Sequence, residues 1–193
     1  LNWYRSDNSD GSSPTVISGI TGTNYTLTNS DIGKYIGFAV IPVAKSGTSQ
    51  GNEVVASTFA GSVADNAPVA SNVTQTGIAA AGETLTGSYT YFDANNDLQG
   101  PSVFKWFRSE GSDGASPTLI SGATGISYTL TNSDIGKCIG FSVTPFASTG
   151  TLSGDEVVAS TFAGPVADNA PVASNVTQSG NPQVGETLTC SYS

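Results

Sequence analysis

Glu83-Thr-Leu-Thr-Gly-Ser-Tyr-Thr-Tyr-Phe92 alternates two kinds of residue. Leu85, Gly87, Tyr89 and Tyr91 fall on one face of an extended chain, and Thr84, Thr86, Ser88 and Thr90 fall on the other. A period of two with threonines on the polar side reads as a half-buried strand. No stretch of the chain carries an apolar 3.6-residue period of useful length, so the class is all-β.

Just before this strand lies Ser71-Asn-Val-Thr-Gln-Thr-Gly77, which returns as Ser174-Asn-Val-Thr-Gln-Ser-Gly180. Trp3 likewise matches Trp106, Tyr25 matches Tyr128, Asp31 matches Asp134, and Pro68 matches Pro171, always 103 residues apart. Between Trp3–Gly77 and Trp106–Gly180, 56 of 75 positions are identical. A repeat of this length is one small domain. The sequence therefore divides into a partial repeat at 1–63, a complete repeat with its leading linker at 64–166, and a partial repeat at 167–193.

In the complete repeat, strands are expected at Val69–Gln75, Glu83–Phe92, Ser102–Ser109, Pro117–Ser121, Ile126–Thr131, Lys137–Thr144 and Glu156–Phe162, with Gly, Ser, Asp and Asn between them. Seven short strands in about 100 residues predict a β-sandwich, with Trp106, Phe141 and Tyr89 in its core.

The two partial repeats fit together. The first begins at the third strand, and the last ends after the second. The piece missing between them corresponds to Tyr91–Val103, or 13 residues, and 193 + 13 = 206, twice 103. Each half alone would leave apolar faces and unpaired strand edges. Head-to-tail completion is expected, with the last strands of one unit closing the first half-domain of the next. That arises either between separate copies by strand complementation or along a continuous, longer chain.

Composition narrows the function. A net charge of −9 disfavours a nucleic-acid partner, and no run approaches the length of a membrane span. The chain has no His, no cysteine spacing suited to a metal, and no glycine-rich phosphate loop followed by a helix, so no enzyme is expected. Lys34 and Lys137 follow Asp-Ile-Gly in both copies, but the sequence names no buried Asn to which either could form an isopeptide bond. Asn24, Asn72 and Asn175 stand in glycosylation triplets, a frequent pattern in a Thr-rich chain. A weakly charged, Thr/Ser-rich surface suits an extracellular protein.

Leu188-Thr-Cys190, Trp106 and Asp134-Ile-Gly-Lys-Cys138 resemble the immunoglobulin pattern. The whole succession of Gly-Glu-Thr-Leu-Thr, Asp-rich loop, Trp and Asp-Ile-Gly-Lys is similar to the bacterial Ig-like tandem repeats of large surface adhesins and cell-surface fibres. The chain departs from antibody-type domains at Gly37 and Gly140, which stand where the second cysteine of the inter-sheet bridge is expected. The resemblance implies a structural or adhesive role at the cell surface. The alternative is a secreted module that binds a carbohydrate or protein through its loops.

Strand alternation puts Cys190 on the inner face and Cys138 on the outer face of two different sandwiches, so two free thiols are expected. The alternative is a bridge between neighbouring chains through Cys138.

One loop has metal-binding character. Asp93-Ala-Asn95-Asn-Asp97-Leu-Gln99 spaces oxygen donors as calcium loops do. The leading linker adds Asp65-Asn66-Ala-Pro68, similar to the Asp-Asn-Ala-Pro of cadherin linkers, and Asp155 and Glu156 start the last strand at the same end. Asp65, Asp93, Asn95, Asp97 and Asp155 are thus a candidate Ca²⁺ set. The same residue types also simply make good turns.

Overall fold

The computed structural model describes residues 1–193. It is built of strands and two short 3-10 turns, with no α-helix. No helix is long and apolar enough to cross a membrane.

Residues 1–63 hold β1 (Asn2–Ser6), β2 (Thr15–Ile17), β3 (Tyr35–Val40) and β4 (Val54–Val55), in the sheet order β2-β1-β3-β4. Trp3 stands opposite Phe38, and Tyr4 opposite Gly37. Alternation therefore puts Trp3, Ile36, Phe38 and Val40 on one face and Tyr4, Gly37 and Ala39 on the other. The second face is closed by Phe59, whose ring lies so near Gly37 that a Cβ there would overlap it.

The complete repeat holds β5 (Val69–Thr76), β6 (Thr84–Phe92), β7 (Val103–Ser109), β8 (Thr118–Leu119), β9 (Ser127–Thr129), β10 (Cys138–Thr144) and β11 (Val157–Val158). They form two sheets, β5-β6-β9 and β11-β10-β7-β8. The seven expected strands are present, though Glu156–Phe162 shrinks to two ladder residues and an isolated bridge from Ala163 to Ile139. Leu85 and Gly87 are buried and Thr84, Thr86 and Ser88 exposed, as the period of two requires. Trp106, Phe141, Ile139 and Leu130 are fully buried, and the Trp106 and Phe141 rings pack 5.1 Å apart. Tyr89 does not join this core. It is half-buried at the rim, where its hydroxyl accepts a hydrogen bond from Gln99 Nε2 at 2.5 Å. A phenol keeps its polar end near a partner and water, which an inner core position denies it.

β10 is buried on both faces. The reason is Phe162, which lies over Gly140 on the outer side as Phe59 lies over Gly37. Cys138 thus sits on the face that alternation assigns, yet it is only 3% exposed. That burial removes the expected alternative of a bridge to a neighbouring chain. Burial, with Asp113 nearby, also pushes its thiol pKa up.

The last segment is a lone strand pair, β12 (Thr177–Ser179) and β13 (Thr189–Ser191), with Gln178 opposite Cys190. Its residues are exposed throughout, so Cys190 has no inner face to turn to. Both cysteines are free.

By spatial proximity the chain gathers into two compact units. Leu1–Ser71, Tyr89–Val103 and Val143–Val157 make one, and Asn72–Ser88, Phe104–Ser142 and Val158–Ser193 make the other.

Candidate functional site

The 103-residue offset lets each half-repeat be compared with the complete one. Leu130 is 1% exposed and its counterpart Leu27 is 52% exposed. Val143 is fully buried, while Val40 is 39% exposed. Trp106 is fully buried and Trp3 only partly so. At the other terminus, Leu85 is fully buried and Leu188 49% exposed, and Val73 at 7% compares with Val176 at 69%. In the complete repeat Trp106 and Val143 come from one sheet and Val73, Leu85 and Leu130 from the other sheet or its edge, and all of them are buried. Residues 1–63 and 172–193 therefore present two open apolar faces.

Backbone pairing is incomplete at the same places. In the complete repeat Leu85 pairs with Tyr128, the Leu130 N–H donates to the Glu83 carbonyl at 2.8 Å, and the Gly87 N–H donates to the Ile126 carbonyl at 2.8 Å. The counterpart of β9, residues 24–26, forms no strand. Strand propensity is satisfied only with a ladder partner, which for β9 of the complete repeat is β6.

The acidic loop is built differently. Asp93 Oδ1 accepts from the backbone N–H of Asn95 at 2.7 Å and of Asp97 at 3.2 Å, closing its own turn through Asn96 at φ 63°. Asp97 accepts from Thr149 Oγ1, and Asp65 Oδ2 accepts from the Thr151 N–H at 2.5 Å. Gly150, at φ 68°, lies between these donors, and a Cβ there would strike both the Asp65 and the Asp97 carboxylates. Those two acids are thus brought together. Asn95 Oδ1 instead accepts from the backbone and side-chain N–H of Asn66, both at 3.0 Å, while its Nδ2 donates to Asn29 Oδ1. Asp155 borders a shallow hollow with Pro68, Ala70 and Val157. No group of three acidic side chains gathers in a geometry that holds a metal. Two carboxylate oxygens, Asp65 Oδ1 and Asp93 Oδ2, are buried without a hydrogen-bond partner.

A third constellation escaped the sequence reading. Asp134 is fully buried, and its Oδ1 accepts from Arg108 Nε at 2.5 Å. Its Oδ2 accepts from the Tyr128 hydroxyl at 2.9 Å, the Thr131 N–H at 2.7 Å and Thr131 Oγ1 at 2.8 Å. Arg5, Tyr25, Thr28 and Asp31 repeat the arrangement. Burial works to raise the Asp134 pKa, but the Thr131 backbone, Arg108 and the two hydroxyls together outweigh it and hold the carboxyl below its ordinary range. Asp134 therefore does two things at once: it caps the turn that Thr131 opens, and it forms an ion pair with Arg108. The signal lay in Arg, Tyr and Asp recurring together at the repeat offset. Lys34 and Lys137 pair with Asp7 and Glu110 at the surface.

The fold with these sheets is that of an immunoglobulin-like domain. Residues 70–161, nearly the whole of the complete repeat, match the family described as the AIR9 A9 domain. The chain is similar to the 187-kDa microtubule-associated protein AIR9 of Arabidopsis thaliana, with 36% identity over 121 residues. That alignment covers 63% of this chain and 7% of the Arabidopsis protein, so the chain matches a small part of a much larger relative. No solved structure gives a significant match. The Ig-like part of the resemblance stands, and the relative that carries it is a plant protein rather than a bacterial adhesin.

Proposed function

We propose that this chain is a non-catalytic, load-bearing stretch of a tandem Ig-like array. The strands of residues 172–193 close over a half-domain of the kind formed by residues 1–63. The observation that carries this reading is the paired exposure of Leu27 against Leu130 and Leu188 against Leu85. The complete repeat supplies the template for what covers each open face. Exposed apolar side chains gathered on a face are unfavourable in water until a partner covers them.

The role is mechanical and does not depend on compartment. The adhesin and extracellular placement rests on composition and resemblance. The related Arabidopsis protein is named for microtubules. Direct electrostatic capture of an acidic polymer by this stretch is disfavoured. It carries six Lys and Arg against fifteen Asp and Glu, and Arg5, Lys34, Arg108 and Lys137 are already paired with acids. A spacer that positions other segments suits this balance better. The turns are rich in Gly, Ser, Asp and Asn rather than in the aromatic residues that stack on a sugar.

The test is a tandem of two copies joined through a copy of Tyr91–Val103, with Trp106 replaced by Phe in both. The Trp3 at the junction should then emit as a buried indole, blue-shifted from the terminal Trp3. Identical emission from both would contradict the proposal.

A further inference from the structure

The linker between the first two repeats has almost no free length. On its upstream side the Val63 N–H donates to the Lys34 carbonyl at 2.9 Å, and the Val63 carbonyl accepts from the Gly33 N–H at 2.8 Å. On its downstream side Asp65 accepts from the Thr151 N–H, and Asn66 gives its backbone N–H and a side-chain N–H to Asn95 Oδ1. Pro68 is fully buried. Ala64 alone lies between the two holds. The upstream hold is fuller after the complete repeat. There Val166 bonds to Lys137 and Gly136 as Val63 does to Lys34 and Gly33, and Ala167 is bonded through its N–H to Ala79 and through its carbonyl to Ala81. Asn169, the counterpart of Asn66, donates from Nδ2 to the Ala81 carbonyl at 2.7 Å. A side-chain amide has two N–H groups, so a linker Asn can serve the domain before it and the domain after it at once.

The loop that receives the linker also reaches the preceding repeat. Asn95 Nδ2 donates to Asn29 Oδ1 at 3.0 Å, and Asn29 Nδ2 donates back to the Asn95 carbonyl. Asn29 opens the 3-10 turn Asn29–Asp31, which Arg5 and Tyr25 anchor through Asp31. Asn95 therefore grips both the linker and the neighbouring repeat.

We infer that the loop 93–99 is a docking surface for the preceding Ig-like repeat, which makes the linker a rigid splint with Asn95 as its positioning residue. The partner it fits carries one Asn in its linker and one at the start of its 3-10 turn, and both recur one repeat later as Asn169 and Asn132. Polar contacts between domains ordinarily permit relative motion. Here bending must break hydrogen bonds on one side of Ala64 or the other. Each bond is weak alone, but the short linker keeps the partners at high effective concentration. The inference rests on the tandem-array reading above and does not involve the Leu27 and Leu188 faces.

Amide exchange and residual dipolar couplings on the isotopically labelled full chain test it. In the parent the Asn66 amide should exchange on the order of tenfold more slowly than an open amide. One alignment tensor should fit β1 and β3 together with residues 89–92 and 143–147. Asn95→Ala should remove both the protection and the common alignment, while a protected Leu130 amide reports that the complete repeat is intact. Ala64→Gly should leave both as in the parent, because the flanking bonds hold the junction rather than the stiffness of Ala64 itself. Separate alignment of the two sets in the parent overturns the inference, as does an Asn95→Ala chain that behaves as the parent or loosening confined to Ala64→Gly. Each of these results leaves completion of the half-domains standing, since that is read at Trp3 and Leu27.

Discussion

The Phe141 ring lies against the backbone of Gly87, across the sandwich from its own sheet, with no room for a side chain between them. This contact ties the sheet β5-β6-β9 to the sheet β11-β10-β7-β8 at the centre of the complete repeat. It explains a glycine in the middle of a strand, where glycine is otherwise unfavourable. Gly87→Ala should therefore destabilise the complete repeat by about 1–3 kcal/mol. Trp106→Ala, which empties the neighbouring space, should cost about 3–5 kcal/mol. Denaturant unfolding checks both, and a neutral Gly87→Ala would mean that the ring moves freely.

The open and closed halves make opposite predictions for the same substitution. Leu130→Ala should cost about 2–5 kcal/mol, because it leaves a cavity in a packed core. Leu27→Ala in the single chain should change stability by less than about 1 kcal/mol, because that side chain still faces water. Equal costs at the two sites would show that the first face is already covered.

Asp134→Asn should destabilise by about 2–3 kcal/mol at neutral pH, since it breaks a buried ion pair whose Arg108 end can partly return to water. The pH dependence has a definite sign. The folded pKa of Asp134 is depressed, as is that of Asp31, so their stabilisation is fully present above the ordinary carboxylate pKa of about 4. It is lost as pH falls below that value and through the depressed pKa. Acid titration of the melting temperature should show this loss in the parent and a flatter limb in Asp134→Asn.

The Asp65–Asp97 pair beside Gly150 gives the calcium expectation a specific form. If Ca²⁺ lies by these acids, it binds only the folded state, and millimolar Ca²⁺ should raise the melting temperature above that in chelator. Asp97→Asn should relieve the repulsion between the two carboxylates, raising stability in chelator and abolishing the response to Ca²⁺. A parent melting temperature indifferent to both conditions leaves these residues as turn formers.

Much of the fold was legible because strand periodicity and the repeat reinforce one another. Leu85, Gly87, Trp106 and Phe141 declare their faces through alternation alone, and the offset of 103 shows which partners the end segments lack. Alternation placed Cys138 on the right face but left its burial unforeseen, since it reports which face a residue takes and not what later segment covers that face. Phe162 supplies the cover from residues distant in sequence. Tyr89 was misplaced because hydrophobic pattern does not register the hydroxyl. The site was less legible than the fold. Asp65 and Asp97 are 32 residues apart in sequence and meet only through the turn at Gly150. The Asp134 ion pair needs three segments whose proximity no local pattern states.

Hydrogen exchange at the Leu27 amide tests the central claim most directly. In the complete repeat the equivalent amide, on Leu130, is held by the Glu83 carbonyl. In a tandem of two copies joined through a copy of Tyr91–Val103, the Leu27 amide at the junction should become protected to a degree approaching Leu130, through the Glu186 carbonyl of the preceding copy. The Leu27 amide at the free end should continue to exchange rapidly. Rapid exchange at both would contradict completion of one half-domain by the strands of the next.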